Sequence, residues 1–512
     1  MSRCRSLRTP HAPNSSPCPP HAVARMLVCV LQLFKVVSQR RDTSSASAAA
    51  ADTVAQDVWR SYADFKALDA ALRREAGKLL AAEFPRSSGW MRSFSMSYKD
   101  FAETRRVLLE NYLKAVLGNP LVNKSKALLN FLKPAERDDW PSAVGDIDLE
   151  LHDLPHASSQ TEWWYYHVHF QDGEGNDYSA FVAFFRVVKH TDKETGKKSY
   201  AHAINWALSD VKNKRYVQDV VLDRDSPAVV KKQLDNGEIK DSRLERAYRE
   251  VLDRGNVPLP DRMFTPGRDA VCDMKKLHLD FESGSVTKNA AGHHVLKCVH
   301  PDGKTALELV FEPTKKPVRH GLDGVVKGHD GDDMFYYCSP RCRVTGHFTL
   351  DGKRTPVVRG SGWIDHEFGG KAPENDVPSM NYAWNWVAAQ LNNGWELSVA
   401  ELIDPRTTPQ RFMESRVVAV DPSGARSQPT DMTLEPLEMW TSVRTFNTYP
   451  IKWRLTIPEL KAELLLEAPF SDQELMTLIA KPGFWEGRVN VTGTFQGAPV
   501  TGAGYVERNG FQ

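Results

Sequence analysis

From about Gly145 to Gln512 the chain is punctuated by short Gly/Asn/Asp turns, roughly every ten residues in many places, and this rhythm limits the fold more than any other feature. The turns "DGEGND", "PDGK", "LDGK", "LNNGW", "DPSGA" and "FQGAP" are hairpin sequences. Between them lie alternating or β-branched apolar runs such as "GWELSVAEL" (Gly394–Leu402), "KWRLTI", "RVNVTGTF" and "VTGAGYVE". Strands at this spacing suit antiparallel barrels or sandwiches. The region shows no βαβ alternation and no glycine-rich phosphate loop leading into a helix, which disfavours nucleotide-dependent chemistry. We expect two antiparallel barrels here, divided near residues 370–380.

The preceding stretch, Asp57–Pro134, changes to a helical period. Phe65, Leu68, Leu72 and Leu79–Leu80 share one face, and Phe101, Val107–Leu109, Tyr112, Val116 and Leu117 recur at spacings of three and four. "GNP" ends that helix, and Ser125 is a candidate N-cap for "SKALLNFL". "KPAERDDWPS" reads as a charged linker. Residues 1–25 read as a disordered leader; the first 41 residues, rich in Ser and Pro with seven Arg/Lys and no acid, have the composition of an organellar transit peptide, of plain disorder or of a mispredicted gene start. The longest apolar run near it, Met26–Val37, holds Lys35 and is too short to span a bilayer. It suits a buried strand or a signal h-region.

With 512 residues the chain has room for two to four domains. A net charge of +1 gives no field for nucleic acid or an anionic membrane surface. Seven cysteines, an odd number in so long a chain, do not form a disulfide framework and fit a reducing compartment. Cys338 and Cys342 lack a second pair at zinc spacing and read as inert thiols. "GHDGDD" (Gly328–Asp333) lacks the ligand alternation of an EF-hand and reads as a solvated turn.

The densest chemistry sits in "GSGWIDHEFGG", Gly360–Gly370. On a strand Trp363, Asp365 and Glu367 point to one face, and Ile364, His366 and Phe368 to the other. A metal site using Asp365 and His366 together would need a bulge. A carboxylate beside a tryptophan, facing a cavity, is the economical reading. In "EWWYYHVHF" Trp163, Tyr165 and His167 share a face, while Glu162, Trp164 and Tyr166 share the other. Trp384 and Trp386 lie together in "NYAWNWVAAQLNNGWEL", and "GFWEG" adds a further aromatic block. Core packing accounts for any one of these rings. Polar neighbours Glu162, His167, Asn385 and Asp365 add a pocket reading, in which Trp164, Tyr166, Trp384 and Trp386 line a site for an apolar small molecule. His202 and His156 are candidates of the same mixed kind.

"SSQTEWWYYHVHF", "AHAINWALSD", "GSGWIDHEFGG", "WNWVAAQLNNGWEL" and "FWEGRVNVTGTFQGAPVTGAGYVE" occur in that order. Together they resemble the carotenoid 1,2-hydratase/AttH-like family, whose members include kievitone hydratase and Diels–Alderases. The resemblance implies two tandem lipocalin-like barrels, residues 146–375 and 376–512, with a pocket inside or between them. It also implies that Asp365 matches an aspartate taken as the proton donor in the carotenoid hydratases, where Trp363 is a tyrosine. The helical region, "WRSYADFKALDAAL" through "SKALLNFL", resembles a phox-homology (PX) domain over residues 26–134, joined by a linker at 135–145. That resemblance implies phosphoinositide contacts through Arg60, Tyr62, Arg86 and Arg105, with Ser61 where the 3-phosphate arginine usually stands. It also implies bilayer insertion by Trp90, Met91, Phe94 and Met96; a PX fold that only packs is the rival.

The expectation is thus a mainly β protein: two tandem lipocalin-like antiparallel barrels behind a small α+β PX-like domain. It would act without cofactor or metal, adding water to a C=C bond of a terpenoid, carotenoid-like or polyphenolic substrate. Asp365 would be the acid, kept protonated by an apolar pocket. Trp363 would stabilise the cation, and Glu162 or His202 would be the base. The alternatives are a pericyclase or isomerase on the same scaffold and a non-catalytic lipid carrier. The location expected is cytoplasmic, or peripheral on endosomal membranes, with no nucleic-acid partner.

Overall fold

The computed structural model describes residues 23–30, 33–41, 53–76, 83–85, 98–123, 125–132, 139–142, 145–191, 198–235, 261–321, 323–326, 333–370, 383–404, 411–477 and 483–510, with a few isolated helical residues between 245 and 253. The chain divides into two units, Met1–Glu136 and Arg137–Gln512.

In the first unit, strands Val23–Val30, Leu33–Arg41 and Thr53–Ser61 form an antiparallel sheet in chain order. Helices Tyr62–Ala76, Tyr98–Leu117 and Lys126–Phe131 follow. Their apolar stripes meet in a core that includes Phe65, Leu72, Leu109, Val116 and Leu128. The edge of Phe65 meets Phe131 at 4.8 Å. Two expectations are corrected. The helical stretch begins at Tyr62, not Asp57, because Val54–Ser61 is laddered residue by residue against Leu33–Arg40. The three-stranded sheet starts at Val23, inside the expected leader of residues 1–25. The rest of that leader lies outside the described residues.

The second unit holds two curled half-barrel sheets. Among the described residues the first has fifteen strands between Thr161 and Gly369, and the second has ten between Ala383 and Asn509. Pairing is antiparallel except where Arg215–Leu222 meets Asp261–Met263. The expected division falls at residues 371–382, outside the described residues. In the first sheet Asp177–Thr191, Thr161–Gln171, Arg359–Gly369 and Met334–Leu350 are neighbours in that order. In the second, Glu396–Asp404, Ala383–Leu391, Ala498–Asn509 and Gly483–Phe495 run side by side.

Strand alternation gives every one of these strands two apolar faces, and each face has its own core. Trp164, Tyr166, Val168 and Ile364 fill the first half-barrel. Val387, Leu397, Trp453 and Val506 fill the second. A third core draws on both sheets, with Tyr165, Phe181 and Trp363 from one meeting Trp386, Phe484 and Tyr505 from the other. The two half-barrels therefore share a buried interface rich in aromatic rings. At its rim Glu396 of the second sheet is buried and takes Lys315 Nζ at 2.7 Å and the guanidinium of Arg341 from the first-sheet region. No described helix is long and apolar enough to cross a membrane.

Candidate active site between the two sheets

Asp365 lies on the face of Arg359–Gly369 that meets the second sheet and is 3% exposed. Trp363, two residues earlier on the same face, donates its indole N–H to Asp365 Oδ1 at 2.8 Å. Tyr336, from Met334–Leu350, donates its hydroxyl to Oδ2 at 2.9 Å. His320 stacks on the Tyr336 ring at 3.6 Å, and Cys338 is the cross-strand partner of Asp365. Burial pushes the Asp365 carboxyl up to about 7, against the two donors that favour its charge; the negative field of Glu507 adds to the rise.

The second sheet brings further acids to this interface. Tyr165 donates its hydroxyl to Glu486 Oε1 at 2.7 Å across the sheets. Glu486 is cross-strand partner to Glu507, which in turn lies opposite Trp386. Burial raises both carboxyls, Glu486 well above its ordinary range. Asp365 is among the charges that raise Glu486. Burial thus raises three carboxyl groups from two sheets at one interface. The edge of Tyr165 meets Trp386 at 5.3 Å, and His167 stacks on Trp363 at 5.9 Å.

The opposite face of the same strands carries a different network. His366 Nε2 meets Glu162 Oε1 at 3.1 Å, and its Nδ1 meets the Tyr337 hydroxyl at 3.1 Å. Glu162 also holds His156 Nδ1 at 2.8 Å and accepts from Arg186 Nη1 at 2.9 Å. Burial alone would raise Glu162, but the hydrogen bonds from His156 and His366 outweigh it and bring the carboxyl to about 2. Trp164 stacks on His366 at 4.7 Å, and the Tyr166 hydroxyl meets His294 Nδ1 at 3.0 Å. His202, paired in register with Arg186, meets the edge of Phe281 at 5.1 Å; burial and then Arg186 lower it to about 4.

The structure therefore separates residues that the sequence reading grouped. Glu162 and His202 lie on the face opposite Asp365, inside the first half-barrel, and cannot serve as its base. Trp164 and Tyr166 belong to that interior as well. Trp386 lies at the shared interface, and Trp384 bonds Glu507 beside it. Tyr336, Glu486 and Glu507 were missed as site residues, and Tyr165 and His167 were noted only as members of the aromatic block. The acids in "FWEG" and "YVE", Glu486 next to Trp485 and Glu507 two residues past Tyr505, were the available signal. Two clefts, one of about 390 Å³ lined by Lys214, Trp440 and Asp472 among others, the other of about 360 Å³ lined by Glu150, Lys276 and Lys288 among others, share no residue with this cluster.

Among the described residues two trios could each offer three ligand atoms within 4.8 Å: His156, Glu162 and His366, and His320, Cys338 and Asp365. In the first, Glu162 is already saturated by His156, His366 and Arg186. In the second, both Asp365 oxygens accept internal donors. Cys338 and Cys342 are free and buried. Gly328–Asp330 and the rest of that turn up to residue 332 lie outside the described residues.

Residues 150–511 match the AttH-like family. The chain belongs to that family. Residues 50–135 match the PX domain. A crystal structure of an AttH protein from Nitrosomonas europaea aligns over 73% of this AttH-like chain and all of its own, at 20% identity and a TM-score of 0.55. Kievitone hydratase from Nectria haematococca aligns over 70% of this chain and 90% of its own, at 14% identity and a TM-score of 0.49. Comparison with curated proteins gave no match. In the PX-matched part of the AttH-like chain, Arg60 lies on Thr53–Ser61, Tyr62 opens the first helix, and half-buried Arg105 lies on Tyr98–Leu117. Arg86 and the loop with Trp90, Met91, Phe94 and Met96 lie outside the described residues.

Proposed function

We propose that this AttH-like protein is a cofactor-independent hydratase that adds water to a C=C bond of an apolar substrate at the interface between its two sheets. The observation that carries this is the Asp365 carboxyl, sealed among aromatic rings and raised to about 7. An acid with such a pKa is half protonated at neutral pH, and the proton is held weakly enough to be given up.

Asp365 gives its proton to one alkene carbon, the π pair forming the new C–H bond. The cation left on the other carbon faces the rings of Trp363, Trp386 and Tyr165, each contact worth about 1–2 kcal/mol when desolvated. Water adds there, and its surplus proton returns to the Asp365 carboxylate. The cycle closes without a second base, so losing Glu162 and His202 as candidates costs the mechanism nothing. The Trp363 and Tyr336 donors steady the carboxylate in the step when it is charged.

The test is incubation with terpenoid, carotenoid and prenylated polyphenol alkenes in water enriched in heavy oxygen. A hydratase yields labelled alcohol, and Asp365→Asn yields none. Unlabelled isomer formed equally by wild type and Asp365→Asn would make the protein a pericyclase or isomerase. Tight binding with no conversion would make it a carrier. The PX match supports a second part of the proposal: phosphoinositide binding that brings the cytoplasmic protein to endosomal surfaces through Arg60, Tyr62, Arg86 and Arg105.

A further inference from the structure

His167 is fully buried, and neither ring nitrogen has a hydrogen-bond partner among the described residues. Its imidazole sits amid rings from both sheets. Trp363 stacks on it at 5.9 Å, Tyr505 tilts against it at 5.0 Å, and the edge of Trp386 meets it at 6.2 Å. Two further ring nitrogens of this neighbourhood also lack partners: His169 Nε2, whose ring lies 5.4 Å from that of His167, and Trp386 Nε1. Buried polar atoms are nearly always paired, because leaving one unpaired forfeits the hydrogen bonds it had in water. An imidazole that served only as packing would be replaced at no loss by a phenyl ring.

We propose that His167 binds a hydroxyl group of the substrate, so that the enzyme acts on an oxygenated apolar alkene and discriminates against the pure hydrocarbon. Burial brings the imidazole down to about 3, so it is neutral at physiological pH. A neutral imidazole offers one N–H donor and one acceptor nitrogen. The two nitrogens point away from each other, so one hydroxyl meets one of them, and it can meet either: its oxygen accepts from the N–H or its hydrogen donates to the bare nitrogen. A carbonyl or ether answers only the donor.

The position fits the chemistry. Trp363 links the two ends of the site, its N–H on Asp365 and its face on His167. A substrate lying along this indole places its double bond at the acid and its hydroxyl at the imidazole. The inference rests on the hydratase reading for what happens at Asp365, but the binding contact itself does not.

The experiment compares geraniol with 2,6-dimethylocta-2,6-diene, which keeps both alkenes and loses the hydroxyl, by calorimetry on the full chain. Wild type should bind geraniol at least about tenfold more tightly. His167→Phe keeps the stacked ring and should bind both probes alike, at the affinity wild type shows for the hydrocarbon. It should also melt no lower than wild type, since two unpaired nitrogens are gone. His167→Gln, which retains a donor and an acceptor, should recover part of the preference. Asp365→Asn should keep the preference in full while losing any hydration. Equal binding of the two probes by wild type, a preference that survives in His167→Phe, or no binding of either probe would overturn the proposal. Geraniol bound with the stated preference yet never hydrated would instead sink the hydratase reading and leave His167 as a hydroxyl site.

Discussion

At the scale of single residues the carboxyl of Asp365 has two measurable consequences. Its ordinary value of 3.8 rises to about 7 in the folded chain. Below pH 4 both folded and unfolded chains hold the proton. Between about 4 and 7 the unfolded chain releases it first, so stability falls across that window and is flat above it. The loss has a ceiling of about 4 kcal/mol. Asp365→Asn should therefore melt near wild type at pH 4 and clearly above it at pH 8, in paired thermal scans. The amide suits the site, because the Tyr336 hydroxyl can turn to accept from it while Trp363 still donates to its oxygen. On the proposed mechanism the same titration governs activity: wild-type turnover should fall about tenfold per pH unit above about 7, as the protonated fraction declines. A rate that holds level to pH 9 would count against Asp365 as the acid. Trp363→Ala is a different lesion. It opens a cavity in the shared core and removes both the Asp365 donor and a π face, so urea unfolding should show a loss of about 3–5 kcal/mol together with a slower reaction.

At the scale of elements, both sheets use the same device to curve their longest strands. Gly346 in Met334–Leu350 has φ +132°, and Gly493 in Gly483–Phe495 has φ +147°. A Cβ at either position would lie 2.1 Å from a backbone carbonyl of the neighbouring strand, that of Glu308 or of Glu463. Gly346→Ala and Gly493→Ala should each cost more than about 2 kcal/mol in chemical denaturation, whereas Gly173→Ala, with open space around it, should stay within about 0.5 kcal/mol. The elements also show what a sequence can reveal. The opposition of Trp363 and Asp365 to His366 was legible, because alternation is a property of one strand. The Tyr336 hydroxyl was not, since it reaches Asp365 through the pairing of Met334–Leu350 with Arg359–Gly369. Glu162 was misjudged for the same reason: nothing local says which face of "EWWYYHVHF" turns toward Asp365. The register of Tyr165 against Asp365 and of Trp164 against His366 decides it.

At the scale of the whole molecule, the two half-barrels were visible in the turn spacing, but their mutual packing was not. It depends on contacts between residues hundreds of positions apart, such as Tyr165 with Glu486 and Ser209 with Gln473. No period or propensity encodes a partner at that distance. The PX-matched segment adds a prediction of its own. Ser61 ends a strand between Arg60 and Tyr62, where an arginine would grip phosphate with a bidentate contact. Full-length protein should show only a weak preference for phosphoinositide vesicles over neutral ones in co-sedimentation. Ser61→Arg should strengthen it about tenfold, a gain within reach of one charged hydrogen-bonded pair. No change on that substitution would assign the segment a packing role.

Cys338, buried and opposite Asp365 in the ladder, is a clock. Its thiol is held protonated by burial, so a labelling reagent reacts with it only while the seam between the sheets stands open. On the proposed function, a substrate that enters between the sheets uses the same opening to reach Asp365. In a variant that keeps this cysteine alone, the labelling rate at saturating reagent is the opening rate, and it sets a speed limit that turnover cannot exceed. If product forms faster than Cys338 is labelled, then substrate enters by a route that leaves the seam shut.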